Sequence, residues 1–476
     1  MKPYLLAIDN GSQSTKVTIF DGRGRSLAAA SRRLQPYDIS VPGHAVHPDD
    51  DIWESIAGAC RDVMAAFPGD PADIAAVGLC TIRFCRALLR ADGSLAEPVL
   101  SWMDERVARP HQADNLQCRY VTTSSGYITH RLTGQFTDTA ANYEGMWPID
   151  HDTAAWPDDP HRYAATGMPR DMLFDLVPPG GRLGQVTPEA AGATGIPAGL
   201  PVYATANDKA VEALGSGLDD DGTVLLSLGT YIAAMTIGSS SSSSADGSYW
   251  ANFAARPGTY LYESTGIRRG MWTVSWYRTL LEGAGGGTAH LEDGLNAAAS
   301  ELAPGSNGLL TILDWLAPGQ AAWRRGALLG FDGSQGRAHI YRSILEGIAL
   351  TMANNTAAME HALGRRLSPV LVSGGGSRSD LMMQIVADVY GRPARRTAVN
   401  DAAGLGAAIC AAVGHSIYPG WDQATAAMVS PGQQFTPDPG AVRAYQQINQ
   451  VYATLTSYTD PLFRSMADGL AGLDRT

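Results

Sequence analysis

Lysine is almost missing from this chain. Of its 476 residues 35 are basic, and only Lys2, Lys16 and Lys209 among them are lysines, which leaves 32 arginines. With 47 acidic residues the formal charge is −12, and no basic run interrupts it. Such a chain lacks the electrostatic footprint of a nucleic-acid or anionic-membrane binder. Cysteine is sparse as well. Cys60, Cys80, Cys85, Cys118 and Cys410 form an odd set with no CxxC pair, so neither a disulfide framework nor a structural zinc site is expected. No stretch approaches the roughly 18 consecutive apolar residues of a membrane span, and the first apolar run is too short for a signal peptide. The expectation is a soluble, reduced, cytoplasmic protein. Several catalytic signatures are missing too. Gly-Lys never occurs, which removes GxxxxGK[ST]; no GxGxxG opens a helix after a strand, and GxSxG and HExxH are not found. The P-loop, dinucleotide, serine-hydrolase and zincin readings therefore have no support.

What is present is a globular composition, 45% hydrophobic and with 53 glycines, long enough for two large domains or three ordinary ones. Residues 4–8 read as a buried strand feeding the polar turn Asp9-Asn10-Gly11-Ser12; residues 17–20 resume the strand before the Asp21-Gly22 turn. Residues 50–67 have helical spacing, with acidic caps at 49–51 and a stop at Pro68-Gly69. Residues 74–80 form the next strand. Strands alternating with helices predict an α/β architecture. The pattern then restarts. Residues 201–208 read as a strand ending in a carboxylate, and 224–228 run into Gly229-Thr230, a faint repeat of the first strand and turn. This places a boundary near 215–222, with domains over 1–217 and 218–440 and a helical extension over 441–476. The serine run 239–244 reads as a flexible loop. Further on, a helix is expected over 341–361, and a strand over 370–372 ends in Ser373-Gly374-Gly375-Gly376-Ser377 with a helix behind it. A terminal amphipathic helix is expected over 441–467.

Three apolar strands thus end in Gly/Ser/Thr turns, at 9–16, 227–231 and 373–377. Glycine lets backbone N–H groups approach an anion, and the hydroxyls add donors. One such turn is commonly only a turn; three in one chain point to a nucleotide polyphosphate. Lys16 and Lys209 fall in candidate site segments, where a compact point charge meets a phosphate or tunes a carboxylate. Asp208 could accept a proton from a substrate hydroxyl, or cap the helix that follows. Asp9 could hold Mg²⁺ through water, or simply form its turn.

Taken in order, these segments resemble the FGGY carbohydrate kinases, the group of xylulokinase, ribulokinase and glycerol kinase, over nearly the whole chain. The segment from Asp9 to Lys16 resembles the family's first phosphate loop. Ser101-Trp102-Met103-Asp104-Glu105-Arg106 and His130-Arg131-Leu132-Thr133-Gly134 resemble its Trp-x-Asp-x-Arg and Arg-Leu-Thr-Gly segments. Asn207-Asp208 resembles the catalytic-base segment, and Ser227-Leu228-Gly229-Thr230 the second phosphate loop. Arg342 to Gly347, Ser373 to Gln384 and Ala403 to Ala408 resemble the nucleotide-side signatures and the helix after them. Arg268 to Trp276 resembles an uncharacterised sugar-kinase branch.

The resemblance implies two RNase H-like (actin-like ATPase) domains with a cleft between them, and transfer of the ATP γ-phosphate to a sugar or polyol with Mg²⁺. It implies Asp208 as general base and Asp9 as organiser of metal and phosphates. It implies Gly11, Ser12, Ser14, Lys16, Gly229, Thr230 and Gly270 around the phosphates, and Gly375, Gly376 and Asp380 near the adenosine. Arg83, Trp102, Asp104, Asp208 and Lys209 would face the sugar. A xylulose-like ketopentose is the first choice of substrate; glycerol or another polyol, and a non-catalytic actin-like ATP- or sugar-binding regulator, are the alternatives. Family members are often homodimers. The chain also departs from the pattern. Thr81 to Cys85 stands where xylulokinases carry Gln-Met-His-Gly. Phe84 follows Arg83 where glycerol kinases have Glu, and Lys209 replaces an amide. Only 23 residues separate Arg106 from His130, so part of the sugar-side wall is expected to be missing.

Overall fold

The computed structural model describes residues 4–282, 291–399 and 401–470. Two mixed sheets dominate it. The first has the spatial order Ser26–Arg33, Ser14–Asp21, Tyr4–Asn10, Ile74–Thr81, Pro201–Ala204, Arg182–Gln185. The second runs Tyr249–Phe253, Tyr260–Ser264, Ile232–Gly238, Val224–Leu228, Val370–Ser373, Ala394–Thr397, Pro431–Phe435. Each is wired alike. Tyr4–Asn10 pairs antiparallel with Ser14–Asp21 and parallel with Ile74–Thr81; Val224–Leu228 pairs antiparallel with Ile232–Gly238 and parallel with Val370–Ser373. The faint repeat at the two Gly turns is this shared wiring, and the fold is a two-domain α/β structure of RNase H-like halves. Leu5, Leu6, Ala7 and Ile8 are all fully buried, because a central strand covered on both faces needs a continuous apolar run rather than alternation.

Two helices join the halves. Asp208–Gly215 follows the first sheet and Ala402–Gly414 follows strands of the second, yet the latter packs on the first sheet's central strands. The approach requires bare backbone. A Cβ on Gly215 would lie 1.9 Å from the Ala402 carbonyl oxygen, one on Gly406 2.0 Å from that of Val211, and one on Gly78 2.2 Å from that of Ala407. Ala407, Ala408, Ala411 and Ala412 are fully buried in the same seam.

Several boundaries differ from the sequence reading. The first strand continues through Asp9 and Asn10, which oppose Lys16 and Thr15. Asn10 donates to Thr15 Oγ1 at 2.8 Å, and Thr15 shares a 2.7 Å hydrogen bond with Ser55, so the hairpin zips further and the turn shrinks to Gly11-Ser12-Gln13. The strand expected over 201–208 stops at Ala204. Thr205 turns its hydroxyl back to the Leu79 carbonyl at 2.7 Å, and Asp208 opens a helix instead of closing a strand. After Ser373 the chain makes a short 3-10 turn, Gly375–Arg378, before the Asp380–Tyr390 helix, capped by Ser379. The terminal helix is two, Pro439–Tyr452 and Leu455–Gly469. The serine loop is tied at its end, where Ser244 Oγ accepts from Tyr249 N and donates to Tyr249 O, both at 2.9 Å.

Arg342 and Glu346, grouped with the nucleotide signatures, form a buried ion pair at 2.8 Å. Glu346 also accepts from Gly305 N at 3.0 Å, Ser306 at 2.8 Å and Tyr445 at 2.9 Å. Their place is structural: they fasten the 305–306 turn and the C-terminal helix to the second half. Among the described residues no helix is long and apolar enough to cross a membrane.

The glycine seam makes a direct prediction. Gly215→Ala drives a methyl group into a backbone carbonyl, and overpacking of this kind costs about 1–3 kcal/mol or more. Thermal denaturation is expected to show a clear drop in Tm, whereas Gly192→Ala, in the Pro188–Thr194 helix with nothing within 4 Å of the new methyl, leaves Tm unchanged or raises it. Equal effects at the two positions would refute the close crossing.

Candidate functional site

The site is assembled from segments far apart in the chain. On the first half the Gly11-Ser12-Gln13 turn links two strands, Gly11 N donating to Ser14 O at 3.1 Å. On the second half Gly229-Thr230 links Val224–Leu228 to Ile232–Gly238. Gly270 N donates to Thr230 O at 2.8 Å and Met271 N to Gly229 O at 3.2 Å, so the Gly270–Glu282 helix begins against this turn. The two turns face each other, with Gln13 Nε2 3.5 Å from Thr230 Oγ1. Gly374 adopts φ +81°, and a Cβ there would meet the Leu228 carbonyl oxygen at 2.6 Å. That close approach explains why a Gly run follows Ser373.

Between the halves lies a cavity of about 360 Å³, lined by Ser12, Ile82, Arg83, Phe84, Trp102, Asp208, Lys209, Gly229, Thr230, Tyr231, Trp250 and Glu263. This is the size of a small-ligand pocket. Larger hollows lie beside Arg86–Gln117 (about 570 Å³) and beside Glu301–Val451 (about 680 Å³), but neither contains a residue singled out for chemistry. The smaller one brings seven such residues together: Ser12, Arg83, Trp102, Asp208, Lys209, Gly229 and Thr230.

Asp208 occupies the first helical position behind Asn207, whose side chain caps the helix by accepting from Ala210 N at 3.0 Å. The cap is thus Asn207, and Asp208 is left for other work. Its Oδ1 is buried and has no hydrogen-bond partner among the described residues, while Arg83 Nε stands 4.0 Å away. Burial pushes the Asp208 carboxyl above its ordinary range; Arg83 and then Lys209 pull it down, and Glu212 pushes it up. Arg83 comes from the first half and makes a two-pronged pair with Glu263 of the second, at 2.8 and 3.0 Å. Burial works against the charge on Arg83, but Glu263 and Asp208 outweigh it and hold the guanidinium protonated. The guanidinium also lies 5.0 Å from the Trp250 ring and 5.4 Å from that of Phe84, within cation–π range. Phe84 has φ +64°, a costly conformation for an aromatic residue that concentrates at functional sites.

Other expected site residues lie elsewhere. Asp104 is buried on Arg106, at 2.8 and 2.9 Å, and accepts from Ala45 N at 2.8 Å; it fixes the loop that presents Trp102 and does not face the cavity. Asp380 is exposed and paired with Arg396. Lys16 is exposed on its strand opposite Asp9. Gly375 and Gly376 are not among the cavity-lining residues, although Gly376 packs on Leu228, next to Gly229. Lys209 reaches the cavity, but its ammonium is committed to Glu212 and Ser227, each at 2.8 Å. No residue of 107–129 lines the cavity. The shortened segment instead borders the hollow near Arg86, and His130 stacks on Phe136 at 4.5 Å. Glu212, Tyr231, Trp250 and Glu263 were not picked out from the sequence. Only Glu212 carried a local signal, as the carboxylate one helical turn after Asp208.

Asp9 is almost fully buried. Burial and then Asp401 push its carboxyl up to about 7; Lys16 pulls it down, and Asp208 and Glu212 add to the rise. An unfolded Asp titrates near 3.9. Below about pH 4 both states hold the proton and Asp9 costs nothing. Between about 4 and 7 the unfolded state releases its proton first, so stability falls, and above 7 the penalty is complete. Asp9→Asn is therefore expected to raise the Tm of the ligand-free protein at pH 8 and to leave it unchanged at pH 4. Equal gains at both pH values would show that burial of the charge is not the cause.

Comparison with known proteins agrees with this geometry. Models of the FGGY family of carbohydrate kinases match at both ends: the N-terminal domain over residues 4–117 and 109–215, and the C-terminal domain over 224–415. The chain is 46% identical to an uncharacterised sugar kinase, YgcE, of Escherichia coli (strain K12), covering 99% of this chain and 97% of that one. It is 26% identical to an autoinducer-2 kinase of Klebsiella pneumoniae, covering 96% and 94%. Among solved structures it matches a xylulose kinase from Rhodospirillum rubrum with a TM-score of 0.81 and 25% identity, over 97% of this chain and all of that one. With two Gly/Ser/Thr turns flanking a cavity that holds the partly exposed Asp208 carboxylate, this chain belongs to the FGGY family of carbohydrate kinases and is an ATP-dependent sugar kinase.

Proposed function

We propose that this kinase phosphorylates a hydroxyl group of a small, uncharged ketose, a xylulose-like ketopentose first, with Asp208 as general base. The observation that carries the reading is Asp208: its side chain, partly exposed, lines a cavity bounded on both sides by Gly/Ser/Thr turns, with Arg83 4.0 Å behind its Oδ1. Phosphoryl transfer asks for positioning and charge neutralisation more than covalent help. A substrate hydroxyl in the cavity donates to the exposed edge of the Asp208 carboxylate, which takes the proton as the hydroxyl attacks. Arg83 and then Lys209 oppose the upward push that burial gives the Asp208 carboxyl. The backbone N–H groups of Ser12, Gly229 and Thr230 and the hydroxyls beside them hold the phosphates, and the Gly375-Gly376 segment lies on the adenosine side.

The residues present also fit Mg²⁺. Mg²⁺ is commonly held through one or two carboxylates, waters and substrate phosphates. Asp9, a buried carboxylate crowded by others, would hold it. When bound, the ion neutralises charge on the transferring phosphate.

The substrate class follows from the cavity wall. Arg83 is paired with Glu263 and faces Asp208, and Lys209 is held by Glu212, so the cations lining the pocket are already answered by carboxylates, which disfavours an acidic sugar. Trp102, Phe84, Trp250 and Tyr231 supply flat apolar faces for the carbon skeleton and exclude water that would hydrolyse ATP. The xylulose kinase likeness supports a ketopentose.

The test is ADP release from Mg·ATP against ketopentoses, ketohexoses, pentitols, glycerol and aldonic acids. A neutral ketose is expected to give the highest kcat/KM, and Asp208→Ala is expected to lower kcat by about 10²–10⁴. Preference for an aldonate would overturn the uncharged-substrate reading. Retention of full activity by Asp208→Ala would overturn the base assignment.

A further inference from the structure

Behind the cavity lies a polar cluster that the proposed mechanism does not use. Glu212 is carried by the same helix as Asp208, one turn later. Its Oε1 accepts from Ser227 Oγ at 2.8 Å and from Ser373 Oγ at 2.6 Å, and its Oε2 accepts from Lys209 Nζ at 2.8 Å. Lys209 Nζ also donates to Ser227 Oγ at 2.8 Å. Ser227 and Ser373 are register partners across the parallel pair Val224–Leu228 and Val370–Ser373. Both are buried, and both sit within two residues of a glycine turn, Gly229-Thr230 and Gly374-Gly375-Gly376. One carboxylate therefore touches both nucleotide-side strands at the point where they turn, and stands on the helix that bears the base.

Stability alone explains this cluster poorly. A buried ion pair repays its desolvation only with good geometry, and a well-packed apolar pair of the same volume often does as well. Here burial pushes the Glu212 carboxyl up, but Lys209 and the two serine hydroxyls outweigh it, so the pair stays charged. The charges are held by four hydrogen bonds, of which three, two to or from Ser227 and one from Ser373, cross from one half of the molecule to the other.

We propose that Glu212, held by Lys209, is a positioning residue that fixes the register between Asp208 and the two phosphate turns, so that nucleotide seated at the turns is felt at the base. The proposal rests on the kinase reading above. Misplacement of about 1 Å between base and phosphate costs roughly a hundredfold in rate. Loss of the tether should therefore appear in kcat, while KM for ATP and for sugar stays put.

The three lysines of the chain allow a direct measurement. Protein labelled with ¹⁵N/¹³C-lysine shows only three side-chain ε signals, and Lys209 is identified by its loss in Lys209→Met. On addition of Mg·ADP the Lys209 signal is expected to shift in the wild type and to remain still in Glu212→Gln. In parallel, kcat per nucleotide-binding site is expected to fall about tenfold to a hundredfold in Glu212→Gln and Ser373→Ala, and to recover in Ser373→Thr, which restores the hydroxyl. Ser373→Ala removes a single oxygen, which keeps the test open if the charge variants fold poorly. A Lys209 signal that ignores Mg·ADP shown by calorimetry to bind would overturn the proposal and leave the kinase reading intact. Unchanged kcat in Ser373→Ala, or loss expressed in KM alone, would do the same. Absence of nucleotide binding to the wild type would overturn the kinase reading and the proposal with it.

Discussion

The structure depends on a contact between two helix backbones. Asp208–Gly215 and Ala402–Gly414 touch where Gly215 and Gly406 carry no side chain, and the second helix also lies against Gly78 of the first sheet. Helices packed through ordinary side chains stand about 8–10 Å apart; bare backbone lets these come closer and leaves little play between them. Both helices begin at the cleft. One opens with Asp208. The other is capped by Asp401, which accepts from Thr18 of the first sheet at 2.7 Å and raises the Asp9 carboxyl across the seam. The seam thus sets where Asp208 and the buried Asp9 lie relative to each other.

Charge in the cleft is crowded and mostly negative. Asp9, Asp208, Glu212, Glu263 and Asp401 are answered by Arg83, Lys16 and Lys209 alone among the groups that the structure couples to them most closely. Each cation has a distinct assignment. Arg83 binds Glu263 and faces Asp208, Lys209 binds Glu212, and Lys16 opposes Asp9 across the hairpin. In a chain of 32 arginines, the placement of two of its three lysines here has a physical sense. At Lys209 a compact ammonium satisfies the Glu212 carboxylate and the Ser227 hydroxyl at once, a geometry that suits a point charge better than a planar guanidinium.

The strands, the glycine turns and Asp208 were legible in the sequence because each is a local pattern: an apolar run, a turn dipeptide, a carboxylate at an element boundary. The far wall of the cavity was not. Trp250 and Glu263 lie on neighbouring antiparallel strands of the second sheet and meet Arg83 only through the folding of the two halves, and no spacing rule connects positions so distant. The same limit applies to side chains whose partners in the fold could not be read from the motif that carries them. Asp104, Asp380, Arg342 and Glu346 have the right chemistry in segments that resemble family motifs. Each of the three carboxylates is paired with an arginine close in the fold, Asp104 with Arg106, Asp380 with Arg396 and Glu346 with Arg342. Lys209 shows the intermediate case. Its position at the cavity was readable, but its partner Glu212 and the serines behind it were not.

The helix Ala402–Gly414 has one more consequence, for how the chain comes off the ribosome. The first sheet is built from residues 4–204, but the helix that covers its central strands is not made until about two hundred residues later. At roughly 5–20 residues per second, that is a wait of some ten to forty seconds. During this interval the apolar face around Ala76, Gly78 and Cys80 has no native cover. The early half of the molecule is therefore born incomplete, and its core closes only when nearly the whole polypeptide has been synthesised.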